Sequence, residues 1–189
     1  FNWYLPTARI ADPQLLIDGY TSGLLAHGGE IRTGVTGTLH LKSGRLVGVL
    51  TTEGLLECNH VVVAAGAWSR PLAVGWKAPL IPVRRTLLQT LPHPLSSSNH
   101  PWCWIDDVGC YVRPESGGWL CSPCDETREE SPHANSTGTP SPRHEGLMES
   151  KVSKWFPALN SAKFSGGWTG LRTFASDRRP VIGPDPITP

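Results

Sequence analysis

Arg172 stands in a run of glycines and apolar residues, Gly166-Gly167-Trp168-Thr169-Gly170-Leu171-Arg172-Thr173-Phe174, where a guanidinium is costly unless it meets an anion. Two partners suit it. One is a bound carboxylic acid, gripped by two parallel N–H donors; the other is an internal carboxylate, Asp177 or Asp106, in a structural ion pair. Arg84 and Arg85 form a second basic pair inside a β-prone run. Side chains alternate across a strand, so only one of the two can face a given cleft. A third segment, residues 61–69, reads Val-Val-Val-Ala-Ala-Gly-Ala-Trp-Ser. Its apolar start suits a strand buried on both faces, and its small residues let a flat ligand approach the backbone at the strand's carboxyl end. An ordinary tight turn after a core strand reads the same way.

The elements that must position these residues are short. Pro13 to Ala26 carries Leu15, Leu16, Tyr20, Leu24 and Leu25 at helical spacing, with His27-Gly28-Gly29 as its stop. Residues 30–33, 37–41 and 46–51 predict a β-meander, and residues 55–65 predict a strand entering a parallel sheet. Strands are expected at 80–90, 102–105, 110–113 and 119–122, with Pro114-Glu115-Ser116-Gly117-Gly118 as a hairpin turn. Residues 125–146, rich in Ser, Thr, Pro, Glu and His, predict a loop, 147–156 a helix, and 162–170 and 181–183 the last strands.

Composition bounds the function. The 189 residues carry a formal charge of +1 with 17% charged residues, so no field draws nucleic acid or an anionic membrane. Twenty glycines and eighteen prolines favour turns and sheet over long helices. The sequence has no run of roughly 20 apolar residues and opens on Phe1 without an initiating Met, so it reads as a soluble piece of a longer protein. Five cysteines, an odd number, favour reduced thiols and a cytoplasmic setting.

Together, Gly170-Leu-Arg-Thr-Phe-Ala-Ser-Asp-Arg-Arg-Pro-Val-Ile-Gly-Pro-Asp-Pro186, residues 61–69, and Tyr111-Val112-Arg113-Pro114-Glu115-Ser116-Gly117-Gly118 resemble the D-amino acid oxidase superfamily. The likeness is to its glycine oxidase, sarcosine oxidase and D-arginine dehydrogenase branches, in the family's motif order and over nearly the whole chain. It implies a mixed α+β and α/β fold, in which a partial FAD-binding Rossmann-like lobe adjoins an antiparallel-sheet substrate lobe. The implied division is residues 1–78 for the FAD lobe, 79–168 for the substrate sheet with its loop at 125–146, and 169–189 for the return to the FAD lobe.

The resemblance also implies roles. Arg172 would grip the substrate carboxylate, Tyr111 would help from the sheet floor, and Arg85, or else Arg84, would be a second arginine. Ala65, Gly66 and Trp68 would lie along the flavin, and Gly37 would meet the adenine. The implied reaction oxidises the amine of an amino acid, a D-amino acid being the expected form, to the imine by hydride transfer to FAD. The partner is a small-molecule substrate; oligomeric state is not implied. The family's opening Gly-x-Gly-x-x-Gly turn, whose helix N-terminus holds a diphosphate, does not occur in the sequence. No glycine-rich segment follows Pro186 either. The chain by itself is therefore expected to bind FAD poorly, and a flavin-free interaction module is the alternative reading.

Two further patterns compete. Cys121-Ser122-Pro123-Cys124, with Cys103, Cys110 and His100, could hold zinc, though small thiols in and beside a sheet fit the irregular spacing better. Trp102, Trp104, Trp119, Trp155 and Trp168 could line a substrate cage, with core filling the expected role. Asn135-Ser136-Thr137 fits a glycosylation sequon.

Overall fold

The computed structural model describes residues 12–72, 80–130 and 137–185. Helix α1 (Pro13–Ala26) forms where its spacing predicts, because the Asp12 carboxylate accepts from the backbone N–H groups of Gln14 and Leu15 while Pro13 fits the first turn. Its apolar residues find no burial: Leu15, Leu16, Tyr20, Leu24 and Leu25 are all exposed. A three-stranded antiparallel meander follows, β1 (Gly37–Lys42), β2 (Arg45–Thr51) and β3 (Gly54–Glu57).

Of the strand expected at 55–65, only 55–57 is strand, as part of β3, and 61–65 forms none. The segment runs without strand pairing, and Val62 is 89% exposed. A strand buried on both faces needs neighbours on both edges, and no described strand lies beside it. Residues 30–33 and 181–183 are not strands either. Glu30 instead pairs with Arg32 at 2.7 Å, and Ile182 stands exposed.

The second sheet has six strands. These are β4 (Ile81–Thr90), β5 (Cys103–Ile105), β6 (Cys110–Glu115), β7 (Gly118–Ser122), β8 (Thr127–Arg128) and β9 (Phe164–Phe174). Their order is β5-β6-β7-β4-β8, with β9 on the other edge of β4. Ser116 and Gly117 both take positive φ, 49° and 78°, which makes the β6–β7 connection the two-residue turn whose twist suits a hairpin. β9 pairs with β4 as far as Phe174, so the sheet continues past the expected boundary at 168. The pairing requires Gly167: its φ is +146°, and a Cβ there would sit 2.1 Å from the Leu87 carbonyl oxygen.

The second helix, α2 (Pro142–Val152), starts five residues before the expected 147 and ends before 156. The polar run conceals a reciprocal cap, in which the Ser141 N–H donates to His144 Nδ1 at 3.0 Å and Pro142 opens the first turn. Together with the short β8, this puts regular structure at 127–128 and 142–146 of the loop expected at 125–146. The sequon's Asn135 and Ser136 lie outside the described residues.

The core lies on one face of the sheet. Leu88, Cys121, Val112 and Cys103 form one cross-strand row, and Met148 and Val152 of α2 close over it with Trp119 and Leu159. Several buried polar groups there are paired, while the Trp119 indole N–H has no partner. The Ser122 hydroxyl donates to the Thr86 carbonyl at 2.6 Å, and the Thr86 N–H and hydroxyl donate to the two oxygens of Asp125 at 2.8 and 2.9 Å. One face is thus committed to stability, and the other is left for a site.

Candidate functional site

Residues directly opposed in an antiparallel pair share a face, and faces alternate along each strand. Gln89, Leu120 and Arg113 form one such row, opposite in sense to the core row. Counting from it in steps of two reaches Arg85 on β4 and Tyr111 on β6. Arg85 opposes Gly170 on β9, and two residues on lies Arg172. The register therefore brings Arg85, Tyr111 and Arg172 from three strands to the face turned away from α2. Strand spacing and rise put the Arg85 and Arg172 Cα atoms roughly 8 Å apart. Trp104, opposite Tyr111, and Trp168, opposite Leu87, share this face.

Arg84 goes to the other side. Parity places it with Thr86 and Leu88 on the core face, and its guanidinium pairs with Glu129 at 2.7 Å.

Each side chain on the open face has its own surroundings. Arg172 is exposed, with its guanidinium carbon 5.3 Å from the centroid of the Phe174 ring, and among the described residues it makes no ion pair. The internal partners weighed for it are engaged elsewhere: Asp177 accepts from the Arg179 N–H, and Asp106 accepts from the Trp104 indole N–H. Arg85 is largely buried, its side chain only 11% exposed. Its Nη2 donates to Glu126 at 2.7 Å, while its buried Nε has no hydrogen-bond partner. A cation so desolvated with an unsatisfied donor is suited to a further acceptor.

Tyr111 stacks on Trp104 with centroids 6.0 Å apart and meets Trp102 edge-on at 5.5 Å. Burial pushes its phenol above the ordinary value, against the opposing pull of Arg113 and Arg85, so the hydroxyl stays a neutral donor. That Tyr111 senses the Arg85 charge accords with their common face.

Two residues of this face escaped the sequence reading. Glu126 lies in the polar stretch taken for a loop. Arg178 lies in the recognised motif without an assigned role; its φ of +60° is a left-handed conformation uncommon for a residue other than glycine. Arg178 grips Glu126 with two bonds, Nη2–Oε2 at 2.6 Å and Nη1–Oε1 at 3.1 Å, and lies 4.7 Å from the Phe174 ring centroid. Hydrogen bonding to Arg178, with further help from Arg85, holds the Glu126 carboxyl below its usual range. No sequence pattern signals a carboxylate 41 residues from one arginine and 52 from the other.

Of the described tryptophans, only Trp119 is core; Trp102, Trp104, Trp155 and Trp168 are about half exposed. This departs from the expected core filling, and for Trp104 and Trp168 the cause is strand parity, which turns them to the open face. The cysteines are free. Burial pushes Cys121 up to about 12, far from a metal-binding thiolate, and no cluster of three metal-ligating groups occurs among the described residues. Among those residues no helix is long and apolar enough to cross a membrane.

The residues expected near a flavin lie elsewhere. Gly37, Thr38, Leu39 and Val49 of the meander, with residues 61–65 and Leu72, line an apolar concavity of about 350 Å3. Gly37 and Ala65 are thus brought together. Gly37 packs closely on Val49, where a Cβ would sit 2.8 Å from Cγ1. Gly66, at φ +53°, begins a 3-10 turn, Gly66–Trp68, that leaves Trp68 partly exposed and buries Ala67. The concavity suits a planar ring system, and the sequence carries no Gly-x-Gly-x-x-Gly pattern for a diphosphate. The residues present fit one part of a dinucleotide.

A family model described as "FAD dependent oxidoreductase" matches residues 2–189. The chain is 30% identical over 181 residues to the hydrogen cyanide synthase subunit HcnC of Pseudomonas protegens, covering 92% of this chain and 40% of that protein. It is 33% identical over 171 residues to a D-amino acid dehydrogenase of Sinorhizobium medicae, covering 85% and 36%. The L-proline dehydrogenase structure from P. horikoshii superposes with a TM-score of 0.76 at 19% identity, covering 92% of this chain and 47% of that one. The chain spans about 40% of the length of the curated relatives it matches. With the family model covering all but the first residue, the chain belongs to the FAD-dependent oxidoreductases of the D-amino acid oxidase type.

Proposed function

We propose that this chain carries the carboxylate-gripping face of an FAD-dependent oxidoreductase that converts the amine of an amino acid, in the D configuration or as glycine, to the imine. The observation that carries the reading is the convergence of Arg85, Tyr111 and Arg172, from three strands, on the one sheet face not given to the core. On this reading residues 79–168 and the continuation of β9 form the substrate lobe. Residues 1–78 and the chain after β9 belong with the flavin, with Gly37, Ala65, Gly66 and Trp68 toward it. The five free thiols suit a cytoplasmic setting.

FAD, when bound, supplies the hydride acceptor. The chain's own residues supply orientation. Arg172 holds the substrate carboxylate through two charge-assisted hydrogen bonds, and its packing on Phe174 limits the directions it can take. Tyr111 donates a further hydrogen bond from the sheet floor, and the Arg85 charge lowers the energy of the bound anion. Fixing the carboxylate leaves rotation of the substrate about one axis, which the tryptophans restrict, so that the Cα–H is presented in one direction. As the Cα–H departs with its electron pair, the amine loses a proton to solvent and the C=N bond forms; water then converts the imine to a keto acid and ammonia.

The test uses the complete flavoprotein, mixed without oxygen with D-amino acids, their L enantiomers and the corresponding amines lacking a carboxylate. D-amino acids or glycine should bleach the flavin's visible absorbance and the carboxylate-free amines should not. Equal bleaching by those amines would remove the proposal.

A further inference from the structure

Beside the Arg113–Glu115 pair at 2.8 Å, the open face carries three guanidiniums, Arg85, Arg172 and Arg178, and a carboxylate, Glu126, that binds two of them. Both oxygens of Glu126 are used: Oε1 accepts from Arg85 Nη2 and Arg178 Nη1, and Oε2 from Arg178 Nη2. Arg178 holds this position from a left-handed backbone conformation that costs free energy on its own, so the network repays the strain. Arg172, on the same Phe174 ring as Arg178, is left without a carboxylate partner among the described residues.

We infer that Glu126 is a specificity-determining residue: by engaging Arg85 and Arg178 it leaves one guanidinium, Arg172, for the substrate, and makes the face a receptor for amino acids with a single carboxylate. Three cations without Glu126 would match a dicarboxylic amino acid. With Glu126 present, a second substrate carboxylate must either displace a group held by three hydrogen bonds or sit beside a like charge, and both oppose binding. The hold on Glu126 also keeps it ionised at neutral pH, so the repulsion persists there.

The inference rests on the carboxylate-grip reading above. Its test measures binding of acetate and malonate to the full-length flavoprotein by calorimetry, alongside kcat/KM for D-alanine and D-aspartate. Glu126→Gln, which keeps the shape and removes the charge, should shift the malonate-to-acetate affinity ratio at least tenfold toward malonate and move the D-aspartate-to-D-alanine ratio in the same direction. Acetate, which also gains from the freed Arg85 charge, should tighten by less than malonate. Glu126→Ser reads the same ratio should the glutamine variant fail to fold, and Glu126→Asp should keep a preference nearer the wild type's. An unchanged ratio, or acetate and malonate weakening together, overturns the inference. Arg172→Ala separates the two levels: loss of acetate binding there with an unchanged ratio in Glu126→Gln sinks only the role of Glu126, while acetate binding that survives Arg172→Ala sinks the grip itself.

Discussion

Substituting Gly167 by alanine tests whether the β4–β9 pairing is what aligns the open face. At Gly167 the backbone φ is +146°, and a Cβ would lie 2.1 Å from the Leu87 carbonyl oxygen and 3.0 Å from the Leu88 Cα. Neither atom is a flexible side-chain end, so β9 must retreat by roughly 1 Å to restore van der Waals contact. That weakens the flanking ladder hydrogen bonds, at about 1 kcal/mol each, and adds backbone strain of about 1–3 kcal/mol. The sum, about 3 kcal/mol, corresponds to a Tm drop of roughly 6–12 °C for a chain of this size. Thermal unfolding followed by tryptophan fluorescence reads it directly. Gly170→Ala is the control, since Gly170 has no positive φ and nothing lies within 4 Å of its would-be Cβ. Its Tm should move by less than about 2 °C, although the added methyl stands on the open face opposite Arg85 and should weaken carboxylate binding. Equal Tm shifts for the two variants would refute the register argument.

Three other outcomes follow. Native-state alkylation read by peptide mass spectrometry should spare Cys121, fully buried with its thiol pushed up to about 12, while the partly exposed Cys103 and Cys124 react; early labelling of Cys121 would contradict the core assignment. Met148→Ala, beneath α2, should cost about 2–5 kcal/mol in urea unfolding, because the site is fully buried and sheet and helix meet there; a loss below about 1 kcal/mol would mean that α2 does not close the core. The Glu126 carboxyl is depressed by its arginines, so its stabilisation is complete above the ordinary glutamate value of about 4.3 and disappears as pH falls through the lowered one. Glu126→Gln should therefore be less stable than the wild type at neutral pH, with a Tm gap that closes in acid; a gap independent of pH would remove the ion pairs from the account.

Local signals were legible and long-range ones were not. The helical spacing from Pro13 to Ala26, the stop at His27-Gly28, the turn at Ser116-Gly117 and the alternation of β4 lie within a few residues, and the corresponding elements formed where expected. The apolar run at 61–65 misled because continuous hydrophobicity reports a preference for burial, while strand formation needs hydrogen-bonding neighbours that a single segment does not reveal. The start of α2 was concealed by composition: Ser, Pro and His read as loop, yet Ser141, Pro142 and His144 build a helix start.

For the site, alternation alone separated Arg84 from Arg85, but choosing between them required the register that links β4 to β6 and β9. The Glu126 bridge was out of reach, since its partners meet only after the sheet closes. Likewise, the exposure of Trp104 and Trp168 depends on which face α2 covers.

The most direct test of the central claim is the affinity of the complete flavoprotein for acetate, with KM for its amino-acid substrate, in Arg172→Ala against wild type and Arg172→Lys. Two charge-assisted hydrogen bonds to a carboxylate contribute about 3 kcal/mol or more, so alanine should raise Kd and KM roughly a hundredfold, and lysine should recover part of the loss. Acetate affinity and KM within about threefold of wild type in Arg172→Ala would contradict the account.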